Sequence, residues 1–191
     1  MMNRVFLILI LLLISFFAIG QADSSFSKPS YFLSLHAGGL LGKKGYGSSL
    51  TSALLQGVRY RGFTFGVGIG YDAYAEYRAI PVFGSLGCDL ASVRMNAFFI
   101  QVDGGYSKAW NLLEDETFFS YAQKAGTYFH PLVGYRIHNG KMNVYLTAGY
   151  KFQRIAFQQT PNWLEWGLTG NRVTIQHDIQ RLSVQIGFGF H

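Results

Sequence analysis

The sequence predicts an all-β protein, an eight-stranded antiparallel up-and-down transmembrane β-barrel that follows a cleaved signal peptide. Three observations lead to this prediction. A short apolar segment opens the chain, the remainder alternates apolar with small or polar residues, and the composition is 17% aromatic with 23 glycines among 191 residues. Charged residues make up 14% of the chain, against roughly 25% in soluble domains. The apolar content excludes a disordered chain.

The first twenty residues have the pattern of a secretory signal peptide. Met1 to Arg4 supply a positive segment, Val5 to Ala18 is almost continuously apolar, and small residues follow it. The alternative is a single membrane anchor, but a spanning helix needs about 20 apolar residues and this stretch is shorter. We expect cleavage after Gly20, so that residues 1–20 are the signal peptide and residues 21–191 are the barrel domain.

Four segments predict β-strands by their strict alternation. From Phe63 to Tyr71 the odd positions are large and apolar, whereas the even positions between them are Thr or Gly. A period of two places successive side chains on opposite faces of a strand. The four segments are Phe63–Asp72, Phe98–Ser107, Met142–Gln153 and Leu182–His191.

Four weaker segments complete a count of eight strands. Proline removes a hydrogen-bond donor from a sheet, so we expect Pro81 and Pro131 near the starts of their strands. The connection from Trp110 to Gln123 is the one segment that could hold a short helix. The weaker strands are Tyr31–Leu40, Leu50–Tyr60, Ala79–Leu90 and Thr127–Ile137.

Long and short connections alternate along the chain. Tight turns are expected at Arg61–Gly62 and at Asn139–Gly140, a strong hairpin signal. Long connections are expected over residues 41–49, 108–126 and 154–177. In outer-membrane barrels the short turns face the periplasm and the long loops face outward. The alternation therefore predicts a meander with both termini on the periplasmic side.

The residues opposite the apolar face favour a barrel with that face turned outward. They are mostly Gly, Ser, Thr and Gln, which suit the narrow interior of an eight-stranded barrel. A soluble barrel would instead hold large apolar residues inside and charges outside. Aromatic residues near the strand ends predict two interfacial girdles: Tyr31, Phe32, Tyr60, Phe63, Tyr71, Tyr106, Tyr128, Phe129, Tyr135, Phe152, Phe188 and Phe190.

Two segments resemble the small outer-membrane β-barrels of the OmpA/OmpX-like family. The glycine-alternating segment Phe65–Leu90 is similar to a hairpin of that family, and Val184–His191 is similar to its closing strand. The resemblance implies that the barrel-insertion machinery reads the closing strand during biogenesis. The residues expected to form this insertion signal are Val184, Ile186, Phe188 and Phe190.

Seven charged residues are predicted to face the lumen in two layers. Arg59, Asp89 and Arg136 fall near the periplasmic end, and Asp72, Asp103, Lys151 and Arg181 fall nearer the outer end. Burial of unpaired charges is costly, so we expect Asp103 to pair with Lys151 or Arg181 and close the lumen. The alternative is a water-filled lumen with solvated charges.

No catalytic constellation, cofactor site or metal site is predicted. Ser34 and His36 share a strand face, but no third group is evident to orient the histidine as a base. The single cysteine, Cys88, allows neither an internal disulfide nor a structural zinc site. Acidic and aromatic residues at 114–119 and 163–166 suit adhesion or calcium-bridged contact with lipopolysaccharide.

These patterns predict an integral outer-membrane protein with a structural, surface-interaction or small-pore role rather than an enzyme. Expected partners are outer-membrane lipid, lipopolysaccharide and the barrel-insertion machinery, with the barrel itself a monomer. The net charge of +6 is diffuse, which argues against nucleic-acid binding. Two alternatives stay open: a lipid A acyltransferase or deacylase, and a secreted soluble lipid-binding barrel.

Overall fold

The computed structural model describes residues 28–42, 48–75, 77–93, 96–111, 119–140, 142–161 and 173–190. The expected signal peptide lies outside these ranges. No helix in the described ranges is long and apolar enough to cross a membrane. The described residues form the strands β1 (Ser30–Leu41), β2 (Ser49–Tyr60), β3 (Phe63–Ala73), β4 (Tyr77–Val93), β5 (Asn96–Asn111), β6 (Phe119–Lys124), β7 (Gly126–Asn139), β8 (Met142–Pro161) and β9 (Val173–Phe190).

These strands close into an eight-stranded antiparallel barrel, as predicted. Each strand pairs with the next around the ring, and β9 pairs with β1 to close it. β6 and β7 are two parts of one barrel strand, since both pair with β8 on the edge away from β9. Ala125 separates them at a β-bulge, where residues 125–127 oppose two residues of β8.

Part of the connection that could have held a short helix is strand instead. Trp110 and Asn111 end β5, and residues 119–123 belong to β6. These residues hold no helix, and the expected long connection over residues 108–126 is wrong for residues 108–111 and 119–124, because β6 pairs with an extension of β8 that the sequence pattern did not reveal. Residues 112–118 lie outside the described ranges.

The stagger of the strands sets their tilt. A path through paired residues once round the barrel returns to β1 ten residues beyond its start. With a spacing of about 4.8 Å and a rise of about 3.3 Å per residue, this stagger tilts the strands by about 40°. Each residue then advances about 2.5 Å along the barrel axis. The path runs through Ser30, Arg59, Thr64, Gly87, Gln101, Leu132, Gly149, Ser183 and Leu40.

Two short turns lie at one end of the barrel, which we call the tight-turn end. Arg61 and Gly62 have φ of 50° and 80°, as a two-residue hairpin turn of type I′ requires. Gly140, with φ of 63°, follows β7. Ser30 of β1 and Phe190 of β9 also lie at this end. The opposite end is the long-loop end.

Both prolines lie inside their strands, so the prediction that they lie near the starts of the strands is wrong. Near Pro81 the ladder between β3 and β4 lacks two successive residue pairs, and near Pro131 the ladder between β7 and β8 lacks two. The opposite edge stays paired in each case, because Pro81 opposes Ser107 and Pro131 opposes Val102 in β5. Each proline is thus kept in the sheet by pairing with β5, although its pairing with the strand on the other side is interrupted.

Large apolar side chains cover the outside of the barrel, as predicted. Val67 and Leu86 are each 60% exposed and Val184 is 56% exposed. In β2 the outward apolar residues run from Tyr60 to Leu50, which corresponds to about 25 Å along the axis. That height matches the apolar band of outer-membrane barrels, about 25 Å.

The aromatic residues form two outward levels with two exceptions. Tyr71, Tyr106, Phe129 and Phe152 mark the upper level. Phe32 and Tyr128 were expected in the girdles, but they point into the barrel, where they are 6% and 4% exposed. The interior is therefore bulkier than predicted, since these two residues pack there with Leu55 and Phe83. The lower level comprises Tyr31, Tyr60, Phe63, Phe98, Tyr135, Phe188 and Phe190.

Inward glycines make room for rings on neighbouring strands. A Cβ atom at Gly68 would lie less than 3.0 Å from the ring of Phe83, and one at Gly134 would lie equally close to the ring of Phe99. Gly187 has the same relation to His36. The small face predicted from the alternation therefore provides space for the few large side chains that fill the lumen.

β8 and β9 continue past the apolar band with their polarity reversed. Within the band Phe152 faces outward and Lys151 inward, whereas beyond it Arg154 faces outward and Ile155 and Phe157 are buried inside. The expected loop over residues 154–177 is therefore wrong for residues 154–161 and 173–177, which are strand. The apolar residues change face where the strand leaves the band. The alternation that predicted this strand from the sequence therefore stops at that point.

Candidate functional site

The polar interior of the barrel is the candidate functional site. All seven charged residues predicted to line the lumen point inward. The strand register places Arg59, Asp89 and Arg136 near the tight-turn end, and Asp72, Lys151 and Arg181 near the upper edge of the apolar band. Asp103 lies between these groups, nearer the upper one.

A buried ion pair occupies the upper layer. Lys151 Nζ donates to Asp72 Oδ1 at 2.7 Å and to Thr51 Oγ1 at 2.9 Å. The hydroxyl of Thr51 in turn donates to Asp72 Oδ1 at 2.6 Å. Asp72 is 0% exposed and Lys151 is 2% exposed. The prediction that Asp103 pairs with Lys151 or Arg181 is therefore wrong for Lys151, because β3 brings Asp72 to its ammonium group.

A second ion pair lies near the tight-turn end. Arg136 donates to both carboxylate oxygens of Asp89, at 3.1 and 2.7 Å. This two-point geometry adds specificity to the charge interaction. Arg59 donates to the hydroxyl of Tyr145 at 3.5 Å and lies 5.6 Å from the centroid of the Phe32 ring. The layer crosses the barrel from β2 and β4 to β7 and β8.

The middle of the lumen holds an arrangement that the sequence did not reveal. His130 Nε2 lies 2.7 Å from Ser183 Oγ, and His130 Nδ1 lies 3.6 Å from Asp103 Oδ2. Gln101 donates to the other oxygen of Asp103 at 2.8 Å. Ser183 and His130 are 53 residues apart, so the contact depends on strand register rather than on any local motif. Ser183 and His130 are each 2% exposed, and Asp103 is 4% exposed.

The Ser34–His36 pair of β1 also forms. His36 Nε2 lies 3.1 Å from Ser34 Oγ, and both side chains are buried. The His36 ring lies 5.4 Å from the ring of Tyr145. Among the described residues, no group of three or more His, Cys, Asp or Glu side chains is arranged to hold a metal ion.

Apolar side chains separate and cap the polar layers. Phe99, Leu132 and Tyr145 pack together inside the lower half. Beyond the Lys151–Asp72 pair, Leu40 and Ile155 are 0% and 1% exposed within a cluster that caps the long-loop end. The other members of this apolar cap are Tyr74, Ala79, Ala109 and Phe157, with Tyr77 and Ile179 packed against them.

Two cavities among the described side chains inside the barrel are small. A cavity of about 20 Å³ lies between His36, His130 and Lys151, and another of about 10 Å³ lies between Arg59, Phe99 and Arg136. A single water molecule needs roughly 10–15 Å³ of such space. These cavities can hold water, but they are too small for a lipid chain.

The closing strand presents its predicted insertion signal outward. Val184 and Ile186 are 56% and 45% exposed, and Phe188 and Phe190 are 43% and 57% exposed. Of the acidic and aromatic residues predicted to act at 114–119 and 163–166, Phe119 begins β6, and the others lie outside the described ranges. His177, which was expected at the end of the loop over residues 154–177, belongs to β9.

Comparison with solved structures identifies the type of barrel. The crystal structure of neisserial surface protein A (NspA) matches with a TM-score of 0.62 and 10% identity, over 86% of this chain and 99% of NspA. The solid-state NMR structure of the outer-membrane protein AlkL in lipid bilayers matches with a TM-score of 0.50 and 14% identity, over 88% of this chain and 92% of AlkL. The chain has the fold of small OmpA/OmpX-like outer-membrane barrels. Comparisons with protein-family models and with curated proteins give no match.

Proposed function

We propose that the chain is an integral outer-membrane protein with a filled barrel that serves a structural or surface-interaction role and is not a pore. The filled lumen is the observation that carries this proposal. Two ion-pair layers, two apolar clusters and the apolar cap occupy the described part of the lumen, and two cavities among them measure about 20 and 10 Å³. The outward apolar band argues against the secreted soluble barrel, because an apolar belt of that size would be exposed to water.

The orientation of the barrel belongs to the same proposal. The tight-turn end faces the periplasm together with both termini, and the long-loop end faces outward, as in outer-membrane barrels generally. The mature chain begins at Gln21 after removal of the signal peptide. It inserts as a monomer with the help of the barrel-insertion machinery, which reads the closing strand.

Three measurements test this proposal. In membrane fractions the protein should be in the outer membrane, and its migration on a denaturing gel should change on boiling, as expected of a closed barrel. In planar bilayers it should give no steady channels, because the apolar cap blocks the lumen. Large, steady conductance from a sample that shows the shift on boiling would refute the filled-lumen proposal and support the water-filled alternative.

The Ser183–His130–Asp103 arrangement favours one second candidate function, acyl transfer or lipid deacylation. A serine whose hydroxyl is hydrogen-bonded to a histidine that has a carboxylate at its other nitrogen is the pattern of an activated nucleophile. We nevertheless propose a structural role for it, because Ser183 is 2% exposed and the adjoining cavity fits only water.

A covalent probe distinguishes these two roles. The folded protein in lipid vesicles should not react with a fluorophosphonate probe for activated serines. Labelling of the wild type that is lost in Ser183→Ala, with the gel shift on boiling retained, would establish the enzymatic candidate. Ser85→Ala is the matched control, because Ser85 is also an inward serine that is 2% exposed.

A further inference from the structure

Four basic residues lie just beyond the apolar band on consecutive strands of the barrel. Arg78 is on β4, Lys108 on β5, Lys124 on β6 and Arg154 on β8. We call these four residues the basic belt. Lys108 is exposed between the inward, buried Ser107 and Ala109, which shows that its side chain points outward. Lys108 therefore lies on the outer surface of the barrel, above the apolar band, and not in the lumen.

The other members of the basic belt point outward for the same reason. Arg154 lies between the buried Gln153 and Ile155. Lys124 pairs with Ala156, which is on the same face of β8 as Arg154. Arg78 precedes Ala79, which is 0% exposed inside the apolar cap.

The strand register places the belt at one height. Lys108 is two residues beyond Tyr106, and Arg154 is two residues beyond Phe152, which corresponds to about 5 Å above the upper aromatic level. From the barrel stagger, the four Cα positions differ in height by about 3 Å. This level is the one that phosphorylated headgroups occupy above the hydrocarbon of a bilayer.

Among the described residues, this level carries a net positive charge. Of the carboxylates in the described ranges, Asp178 alone points outward there, and it accepts hydrogen bonds from Arg154 at 2.7 and 2.9 Å. These hydrogen bonds lower the pKa of the Asp178 carboxyl, which lies beyond the apolar band. Arg78 donates to the backbone carbonyls of Tyr74 and Tyr77. Those contacts position its guanidinium group without neutralising its charge.

We propose that the basic belt binds the phosphorylated headgroup of lipopolysaccharide in the outer leaflet. This inference rests on the proposed function, because it needs the long-loop end to face outward. Four cations spread over neighbouring strands suit a headgroup that carries more than one phosphate. Lys and Arg bind phosphate through charge-assisted hydrogen bonds, and each contributes an attraction that salt weakens. Arg154 contributes least while Asp178 holds it.

Titration with lipid A tests the proposal. The purified folded protein in detergent micelles is mixed with bisphosphorylated lipid A, with lipid A from which both phosphates have been removed, or with phosphatidylglycerol. The variant Lys108→Gln/Lys124→Gln should raise the dissociation constant for bisphosphorylated lipid A about 25-fold, since each cation contributes about fivefold near an anionic surface. Asp178→Asn should lower that constant, because it adds one net positive charge to the belt.

The matched control removes the same charge from the other end of the barrel. In the variant Lys28→Gln/Arg61→Gln, the first change precedes β1 and the second lies in the turn between β2 and β3. This variant should leave the dissociation constant for bisphosphorylated lipid A unchanged. Equal effects of the two double variants would overturn the proposal. So would equal binding of the phosphate-free lipid A, or equal binding of phosphatidylglycerol. Each variant is first checked for the gel shift on boiling, so that loss of the barrel itself is distinguished from loss of the site.

Discussion

The buried Lys151–Asp72 pair makes the most direct prediction about stability. In the Lys151→Met variant the carboxylate of Asp72, which is 0% exposed, stays buried. It loses the hydrogen bond from Lys151 and keeps the one from the Thr51 hydroxyl. Removal of one partner from a buried ion pair costs about 3–5 kcal/mol in the free energy of unfolding, because the other charge stays buried without compensation. Asp72→Asn should cost a similar amount. The double variant should lose much less than the sum, because neither charge remains.

The free energies of unfolding are measured by urea titration in lipid vesicles, with the folded fraction read from unboiled gel samples. The exposed Arg154–Asp178 pair is the control, since its side chains are 41% and 43% exposed. Its variants Arg154→Met and Asp178→Asn should leave stability unchanged, as most exposed pairs contribute little. Strictly additive losses for Lys151→Met and Asp72→Asn would refute the inferred pairing.

Two further predictions concern packing and insertion. Gly134→Leu should abolish folding or destabilise the barrel by more than about 3 kcal/mol, because the new side chain would overlap the ring of Phe99. The control Gly104→Leu should fold normally, because a Cβ there meets no atom within 4 Å. Equal behaviour of the two variants would contradict the packing argument. Phe190→Ala should reduce the amount of folded protein in the outer membrane several-fold, as measured by the gel shift on boiling. Phe98→Ala, an outward aromatic change at a similar height, should reduce it less, and the opposite order would argue against a signal in the closing strand.

Much of this fold follows from one local rule. Alternation of apolar and small residues fixes which side chains face outward, so the strands within the apolar band could be predicted without knowledge of any partner. The same rule fails beyond the band, where Ile155 and Phe157 take the inward positions that polar residues hold below. There the solvent changes from hydrocarbon to water, and the apolar residues change face with it.

The interior contacts could be predicted only in part. The alternation in the sequence predicted that seven charged side chains face inward. It could not predict their partners, because which charges form ion pairs depends on the height of each residue in the closed barrel. Lys151 and Asp72 are 79 residues apart, and the stagger of ten residues brings them to one level. The His130–Ser183 contact needs the same information, so no local motif could have revealed it.

In the proposed orientation, with the long-loop end facing outward, the unequal lengths of the strands have a consequence for whatever approaches the cell from outside. β1 ends at Leu41, close to the upper edge of the band, whereas β8 continues nine residues beyond Phe152 to Pro161, about 20 Å further from the bilayer. The rim is therefore bevelled, low on the side of β1 to β3 and high on the side of β8 and β9. An antibody or a protease arriving from the medium would meet the raised hairpin first, and variation that evades such encounters should concentrate there.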